Sequence, residues 1–283
     1  MELWQAVVLG LVEGITEYLP VSSTGHLILA SHLMGLDTPE AKDAVDAFNI
    51  VVQGGAILAV AGLYWPRCRQ MLRGAAGRDA DGRRLLLNLF IAFLPAAITG
   101  LLLKKLIETY LFGPGPVLAA VLAGGLFMFA VEGWKAGRFG LFDAARRDAG
   151  IEAITMRQAL VIGLLQCVAM WPGMSRSMMT IAGGMFLGLS RRSAAEFGFL
   201  LGLPTLGAAT CYSLYRNLSD AGEGGNLFQK LGTGPVLVGL VVATVSAAAA
   251  IKWLVGYLSR HGLAAFGWYR LALFFVMLLV LWS

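Results

Sequence analysis

Two carboxylates, Glu13 and Glu17, lie four residues apart inside an apolar stretch near the start of this chain. In a helix, residues at this spacing share one face about one turn apart. Close carboxylates in apolar surroundings repel each other unless one is protonated or a cation lies between them. The pair therefore predicts a proton-transfer or cation site, because intramembrane acids are costly and usually functional. The alternative is a helix face that lines water and has no function.

A hydroxyl cluster and a histidine follow the same acids. Three hydroxyl side chains and a glycine come directly after Pro20: Ser22, Ser23, Thr24 and Gly25. A helix that begins here exposes N–H groups at its N-terminus, where anions bind readily. A capped turn without a ligand would show the same residues. His26 comes next and could act as a general base, a nucleophile or a hydrogen-bond donor to phosphate near neutral pH.

An arginine between two serines interrupts a second apolar stretch, as Ser175, Arg176 and Ser177. An arginine in apolar surroundings needs an anion, and its planar fork suits a phosphate. A structural salt bridge to one of the two acids is the alternative. Gln53 could donate a further hydrogen bond, or could be a buried glutamine with satisfied partners. Together these side chains could bind and cleave a phosphate ester or anhydride.

The two polar segments resemble each other. When the two segments are aligned with a one-residue gap after Tyr18, Pro20 aligns with Pro172 and Ser23 aligns with Ser175. Paired interruptions of apolar segments in the two halves of a membrane protein are the expected sign of a binding site near the bilayer midplane. The two segments are therefore expected to form one site.

The composition is that of an integral membrane protein. The 283 residues are 58% hydrophobic and only 14% charged, with a mean hydropathy of +0.72. A soluble domain carries about 25% charged residues. The net charge of +5 could suggest nucleic acid. Its placement along the chain is better explained as a topology signal, so no nucleic-acid partner is expected.

Six apolar stretches are long enough to cross a bilayer, which takes roughly 20 helical residues. They are residues 44–64, 85–103, 116–132, 194–214, 234–255 and 268–282. The polar segments lie outside them, in residues 3–35 (the first elbow) and 157–190 (the second elbow). Each elbow has two short apolar arms joined at a proline, and we expect each to enter the bilayer and return.

The basic residues give the orientation. With both elbows re-entrant, most of the 22 Lys and Arg residues, including Arg270, fall on one side, which is expected to be cytoplasmic. The other side has Lys42, Lys104, Lys105, Arg216 and Lys230. The halves 1–132 and 133–283 then have opposite orientations. We predict an all-α integral membrane protein, an inverted-topology repeat with six transmembrane helices and two re-entrant helix pairs.

At these residues the chain resembles the undecaprenyl pyrophosphate phosphatase family, the bacitracin-resistance type of lipid pyrophosphatase. The resemblance runs nearly end to end, and its strongest pieces are Glu13-Gly-Ile-Thr-Glu17, Leu19-Pro-Val-Ser-Ser-Thr-Gly-His26, Pro172-Gly-Met-Ser-Arg-Ser177 and Glu196-Phe-Gly-Phe-Leu-Leu. It implies removal of the terminal phosphate of undecaprenyl pyrophosphate at the outer face of the bacterial inner membrane. It also implies a divalent cation, Mg²⁺ or Ca²⁺, and reuse of the product as a carrier for peptidoglycan precursors.

The resemblance also implies which residues are functional: Glu13, Glu17, Ser23, His26, Ser175, Arg176 and Thr180. Glu13 and Glu17 are expected to hold the cation, and Arg176 the pyrophosphate. His26, Ser23 or an activated water could attack the phosphorus, and the sequence does not separate them. Met178 and Met179 stand where the family has small residues, so they could narrow the phosphate pocket or shift the helix.

A transport protein is the main alternative, either an ion-coupled transporter or a polyprenyl-phosphate flippase. Inverted repeats with broken helices are a transporter architecture, and paired carboxylates can relay protons. A pump would not need a candidate nucleophile beside a phosphate clamp, which favours the enzyme. The sequence leaves the oligomeric state open, including a homodimer.

Overall fold

A computed structural model of the chain describes residues 1–137, 149–219 and 227–281. Within these residues the secondary structure is helical apart from one isolated bridge between Ala149 and Leu189. The α-helices are α1 (Leu3–Thr16), α2 (Ser23–Leu33), α3 (Pro39–Leu63), α4 (Trp65–Ala75), α5 (Ala80–Tyr110), α6 (Pro114–Lys135), α7 (Met156–Val168), α8 (Arg176–Phe186), α9 (Arg191–Ser219), α10 (Leu227–Leu231), α11 (Thr233–Leu258) and α12 (Ala264–Leu281). A 3₁₀ turn at Ile151–Ala153 precedes α7.

Six helical segments in the described part of the chain are long and apolar enough to cross a membrane. They are Ala44–Leu63, Ala80–Tyr110, Pro114–Lys135, Arg191–Arg216, Thr233–Leu258 and Ala264–Leu281. Each overlaps one predicted span; residue 64 falls just beyond the first segment, and residue 282 lies outside the described residues. The prediction of an all-α integral membrane protein with six spanning helices is therefore confirmed.

The helices of the two elbows are short. α1 and α2 have 14 and 11 residues, and α7 and α8 have 13 and 11. At 1.5 Å per residue each is about 16–21 Å long, which is less than the roughly 30 Å hydrocarbon core of a bilayer. None of the four can cross alone, and the re-entrant path of each pair stays a prediction.

Ser22 and Ser175 occupy the same position in the two elbows. Each is the residue before a short helix, and each has a positive φ, 76° and 73°, which is uncommon for a residue other than glycine. The Ser22 hydroxyl accepts the Gly25 amide, and the Ser175 hydroxyl accepts the Met178 amide. The structural counterpart of Ser175 is thus Ser22, so the alignment of Ser175 with Ser23 was wrong by one residue.

The first helix of each elbow packs against a long helix from the other half of the chain. α1 packs on α11 and α7 packs on α5. Small residues make these contacts possible: a Cβ on Gly10 would lie 2.7 Å from the Gly239 carbonyl, and one on Gly163 would overlap the Ala92 carbonyl. The halves are therefore interlocked through close backbone approaches.

Other contacts repeat when the halves are exchanged. α3 packs on α11 as α9 packs on α5, and α2 packs on α12 as α8 packs on α6. α3 and α9, which take corresponding places in these contacts, also contact each other. These contacts bring both elbows to the middle of the helix bundle.

One basic residue does not have the predicted location. Arg270 was counted as a cytoplasmic charge that flanks the last connection. It lies within α12 and its side chain is completely buried. Its role must therefore be sought inside the bundle, because it does not contribute to the topology signal.

Candidate active site

The Glu17 carboxylate lies at the centre of the site and connects the two elbows. Its Oε1 accepts a hydrogen bond from Arg176 Nη2 at 3.2 Å. Its Oε2 accepts one from Ser23 Oγ at 2.7 Å and one from Gln53 Nε2 at 3.3 Å. The Glu17 side chain is only 5% exposed and that of Arg176 10% exposed. Three other predicted site residues therefore meet at the buried Glu17 carboxylate.

The Arg176 guanidinium is fixed on three sides. Besides Glu17, it donates from Nη1 to the Gly198 carbonyl at 3.0 Å. Its central carbon lies 5.2 Å from the centre of the Tyr18 ring, within the range of a cation–π contact. A Cβ on Gly202 would come within 3.2 Å of Nη1, so the absence of a side chain there leaves room for the guanidinium. None of these three partners was predicted from the sequence.

A signal for two of these partners exists in the sequence. Gly198 and Gly202 are four apart on α9, a spacing that places two small residues on one helix face. Tyr18 follows Glu17 directly, but its place beneath Arg176 depends on how the elbows meet. Only the glycine pair could have been found from the chain alone.

The chemistry of the two acids fits a divalent cation. Glu13 is buried and its Oε1 accepts no hydrogen bond, so this oxygen has free coordination capacity. Glu13, Glu17 and Ser23 offer the oxygen ligands that Mg²⁺ and Ca²⁺ prefer. Among the described residues no group of three or more His, Cys, Asp or Glu could hold a metal by itself. Two carboxylates suit an ion that the phosphates of a substrate also coordinate.

Both ring nitrogens of His26 have partners. Nδ1 lies 2.7 Å from the Ser22 carbonyl, and Nε2 lies 2.7 Å from the Tyr269 hydroxyl. A carbonyl only accepts, so Nδ1 carries the proton, and in the neutral ring Nε2 accepts from Tyr269. The two rings also stack, with centres 5.6 Å apart and planes at 10°. Tyr269 was not predicted as a site residue, because it lies far from His26 along the chain.

The serines of the second elbow bind mainly to protein groups. Ser177 Oγ donates to the Leu19 carbonyl at 2.9 Å, which joins the second elbow to the first. Ser175 Oγ lies 3.1 Å from Ser177 Oγ. Thr180 is fully buried, with Oγ1 3.1 Å from the carbonyls of both Arg176 and Ser177. In this structure these hydroxyls hold the elbow that carries Arg176.

The remaining predicted phosphate ligands lie at the start of α2. Ser22 caps the helix, and Thr24 and Gly25 are in its first turn. A Cβ on Gly25 would be 3.3 Å from Val121 and 3.4 Å from Met277, so the glycine allows α2 to pack closely on α6 and α12. Phosphate binding by these residues stays a prediction.

The two methionines that replace small residues lie in the core. Met178 is 0% exposed and Met179 is 4% exposed, and both belong to the main buried hydrophobic cluster. Methionine is flexible and fills irregular gaps. Their bulk is therefore accommodated within the apolar core.

Six spanning helices around a buried carboxylate, hydroxyl and guanidinium define an all-α integral membrane protein with a polar site inside its helix bundle. The chain belongs to the family described as bacitracin resistance protein BacA, whose model matches residues 6–276. The resemblance inferred from the motifs is thereby confirmed.

Similar proteins carry the name undecaprenyl-diphosphatase. One from Sorangium cellulosum is 47% identical over 285 residues, covering 99% of this chain and 85% of the relative. One from Polaromonas sp. is 42% identical over 281 residues, covering 99% and 96%. An "Undecaprenyl-diphosphatase 2" from Rhodospirillum rubrum is 43% identical with the same coverage. The similarity thus extends over nearly the whole length of both chains.

Proposed function

We propose that this protein hydrolyses undecaprenyl diphosphate to undecaprenyl phosphate and inorganic phosphate, which returns the lipid carrier to cell-wall synthesis. Membership of the family and the names of the similar proteins support this activity. The observation that carries it is the Glu17 carboxylate, which contacts a candidate nucleophile, Ser23, and a phosphate-binding side chain, Arg176. A pyrophosphate bound at Arg176 would lie beside that hydroxyl.

Arg176 has a binding role in this proposal. Its guanidinium can bind two phosphate oxygens at once, and it is held in place by Gly198 and Tyr18. In the resting site it pairs with Glu17, so an incoming phosphate competes with this carboxylate. The pairing also limits the cost of burying the charge when no substrate is bound.

Ser23 is the nucleophile that the geometry favours. Its hydroxyl already donates to Glu17 at 2.7 Å, the arrangement of a nucleophile with its base. Ser23 Oγ attacks the terminal phosphorus, the bond from phosphorus to the bridging oxygen breaks, and undecaprenyl phosphate leaves with the electron pair. Glu17 accepts the proton and passes it to the departing phosphate. Glu17 then accepts a proton from the water that cleaves the phosphoserine and returns it to Ser23.

His26 has a positioning role in this scheme. Its Nδ1 and Nε2 are both engaged, with Ser22 and Tyr269, so neither is free to attack the phosphorus. By holding the Ser22 carbonyl it stabilises the turn that precedes Ser23. Attack by His26 or by water directly remains the competing route that the experiments below separate.

A divalent cation, Mg²⁺ or Ca²⁺, is proposed as the cofactor, with Glu13 and Glu17 as its protein ligands. When bound it would neutralise negative charge on the phosphate oxygens. The unpaired Glu13 oxygen supports this assignment. Removal of the metal by a chelator is therefore expected to abolish activity, and added Mg²⁺ or Ca²⁺ to restore it.

The protein is proposed to reside in the bacterial inner membrane, with re-entrant elbows and a site that opens to the outer side. The repeated helix partners of the two halves support an inverted repeat. Two ionic networks join residues of different helices: Glu132 with Arg191 and the Leu263 amide, and Arg67 with Glu152 and Glu196. Both lie at helix ends on the predicted cytoplasmic side.

Purified protein in detergent provides the test, with farnesyl or undecaprenyl diphosphate as substrate and phosphate release as the measurement. Detergent removes any gradient, so release separates an enzyme from an ion-coupled transporter or flippase. Folded wild-type protein that releases no phosphate at saturating Mg²⁺ or Ca²⁺ would contradict the proposal. The homodimer that the sequence left open remains a proposal, which light scattering on the same sample tests.

A further inference from the structure

Two adjacent residues of α12 contact the two elbows. Tyr269 binds His26 of the first elbow through its hydroxyl. Arg270 donates from Nη2 to the carbonyl of Gly173 in the second elbow at 2.7 Å. Gly173 lies three residues before Arg176. One turn of α12 thus touches both of the segments that form the site.

The contacts of Arg270 are unusual for a buried charge. The side chain is 0% exposed, and it donates to the carbonyls of Ala120 and Val121 on α6 as well as to Gly173. Its Nη1 has no partner, and the ion pairs of the described residues do not include it. A charge buried without a counter-ion is costly, so the carbonyl contacts must hold this guanidinium in place.

The second elbow lies tightly against α6 where Arg270 binds it. Gly173 has a φ of 101°, and a Cβ there would lie 2.5 Å from the Val117 carbonyl. The Trp171 indole N–H donates to the Pro116 carbonyl at 2.9 Å, a second attachment to the same helix. Arg270 completes this attachment by linking the Gly173 carbonyl to the carbonyls of α6.

We propose that Arg270 is a positioning residue for phosphate binding, because it fixes the backbone from which Arg176 projects. This inference rests on the proposed function and adds a residue that does not touch Glu17. The path is short: Arg270 holds Gly173, Ser175 caps α8, and Arg176 begins α8. Misplacement of a binding group by about 1 Å can cost on the order of 100-fold in rate.

The structure offers two independent ways to disturb Arg270. Arg270→Met removes the donors and the charge. Gly124→Ala keeps Arg270 but places a Cβ that would overlap its Nη2 and its central guanidinium carbon, so the guanidinium must move from its present position. Gly115→Ala on the same helix is the matched control, because a Cβ there meets nothing within 4 Å.

Inhibition constants distinguish positioning from a merely structural role. For farnesyl diphosphate hydrolysis, inorganic phosphate probes the Arg176 site, and farnesol probes the binding of the tail. We expect Arg270→Met and Gly124→Ala to raise the inhibition constant of phosphate by about tenfold or more and to lower kcat. The inhibition constant of farnesol should stay unchanged. Arg270→Lys keeps one donor nitrogen and should recover part of the lost phosphate binding and kcat. Gly115→Ala should stay within about twofold of wild type.

A lower yield or melting temperature, with the phosphate constant of the folded fraction within about twofold of wild type, would overturn the proposal. If Arg270→Met and Gly124→Ala do not fold, the inhibition constants of phosphate and farnesol for Arg270→Lys test the proposal instead. Wild-type protein is measured in the same series. Its failure to release phosphate would reject the proposed function, whereas normal wild-type activity with unaffected variants would reject only the role of Arg270.

Discussion

Ser23 and Arg176 come from different halves of the chain, yet they contact the two oxygens of the same carboxylate. Ser23 donates to Oε2 of Glu17, and Arg176 donates to Oε1. A carboxylate is only a few ångströms wide, so the hydroxyl and the guanidinium lie about one phosphate group apart. Each half of the site is therefore incomplete without the other.

Glu17→Gln should lower phosphate release by at least about 100-fold, the scale of losing a general base or a metal ligand. The amide keeps the shape of the side chain and can still bind Ser23, but it neither accepts a proton nor balances a cation. The measurement is turnover at saturating Mg²⁺ or Ca²⁺. Glu108→Gln, at an exposed position in an ion pair with Lys104, is the matched control. Near-normal turnover by Glu17→Gln would remove Glu17 from the site.

Arg176→Lys should impair catalysis strongly, by about 100-fold, because the point charge cannot replace a fork that binds two oxygens. Arg176→Ala should lower catalytic activity by at least as much as Arg176→Lys. An increase in KM together with a fall in kcat is expected, since the guanidinium binds substrate and stabilises the transition state. Arg73→Lys on exposed α4 provides the control. Wild-type hydrolysis by Arg176→Ala would reject the two-elbow site.

Ser23→Ala tests the nucleophile. With Ser23 as nucleophile, the wild-type protein quenched during turnover should carry a phosphate on Ser23. The turnover of Ser23→Ala should be lower than that of the wild type by at least about 1000-fold. Mass spectrometry of the quenched peptide is the measurement. Ser177→Ala is the comparison: it removes the bond to the Leu19 carbonyl and should lower stability more than it lowers kcat. A fully active Ser23→Ala would assign the attack to water or His26.

Cysteine labelling tests the orientation. In a background without Cys68, Cys167 and Cys211, a cysteine at Ala76 should react only from the cytoplasmic side, and one at Phe112 only from the outer side. Both positions are exposed and lie at opposite ends of α5. Intact cells labelled with a membrane-impermeant reagent give the answer. Reaction of Ala76→Cys from outside would reverse the proposed topology.

The sequence was sufficient to predict the spanning helices and to identify the polar residues that meet at Glu17 as candidates. Long apolar stretches are a local property of the chain, and a buried arginine must find an anion or a substitute for one. The acids, the arginine and Ser23 could be identified for the same reason, since each is costly in apolar surroundings. Their chemistry was evident from residue type alone.

Tyr269 and Arg270 could not be assigned in this way. Arg270 appears in sequence as one more basic residue near a helix end, and its burial follows from the packing of α12 on α6. The alignment of Ser23 with Ser175 failed for a related reason. Positive φ at Ser22 and Ser175 is a backbone property, costing about 1–3 kcal/mol, that a serine does not signal in a sequence.

The exchange of packing partners between the halves has a consequence for biogenesis. α1 is synthesised well before α11, the helix that receives Gly10 and Gly14. The first elbow, with both of its acids, therefore cannot form its final packing until α11 has been synthesised and inserted. Final closure of the bundle is then a late and cooperative step. A nascent chain truncated before α11 would expose the Glu13 and Glu17 carboxylates, which are buried in the folded protein.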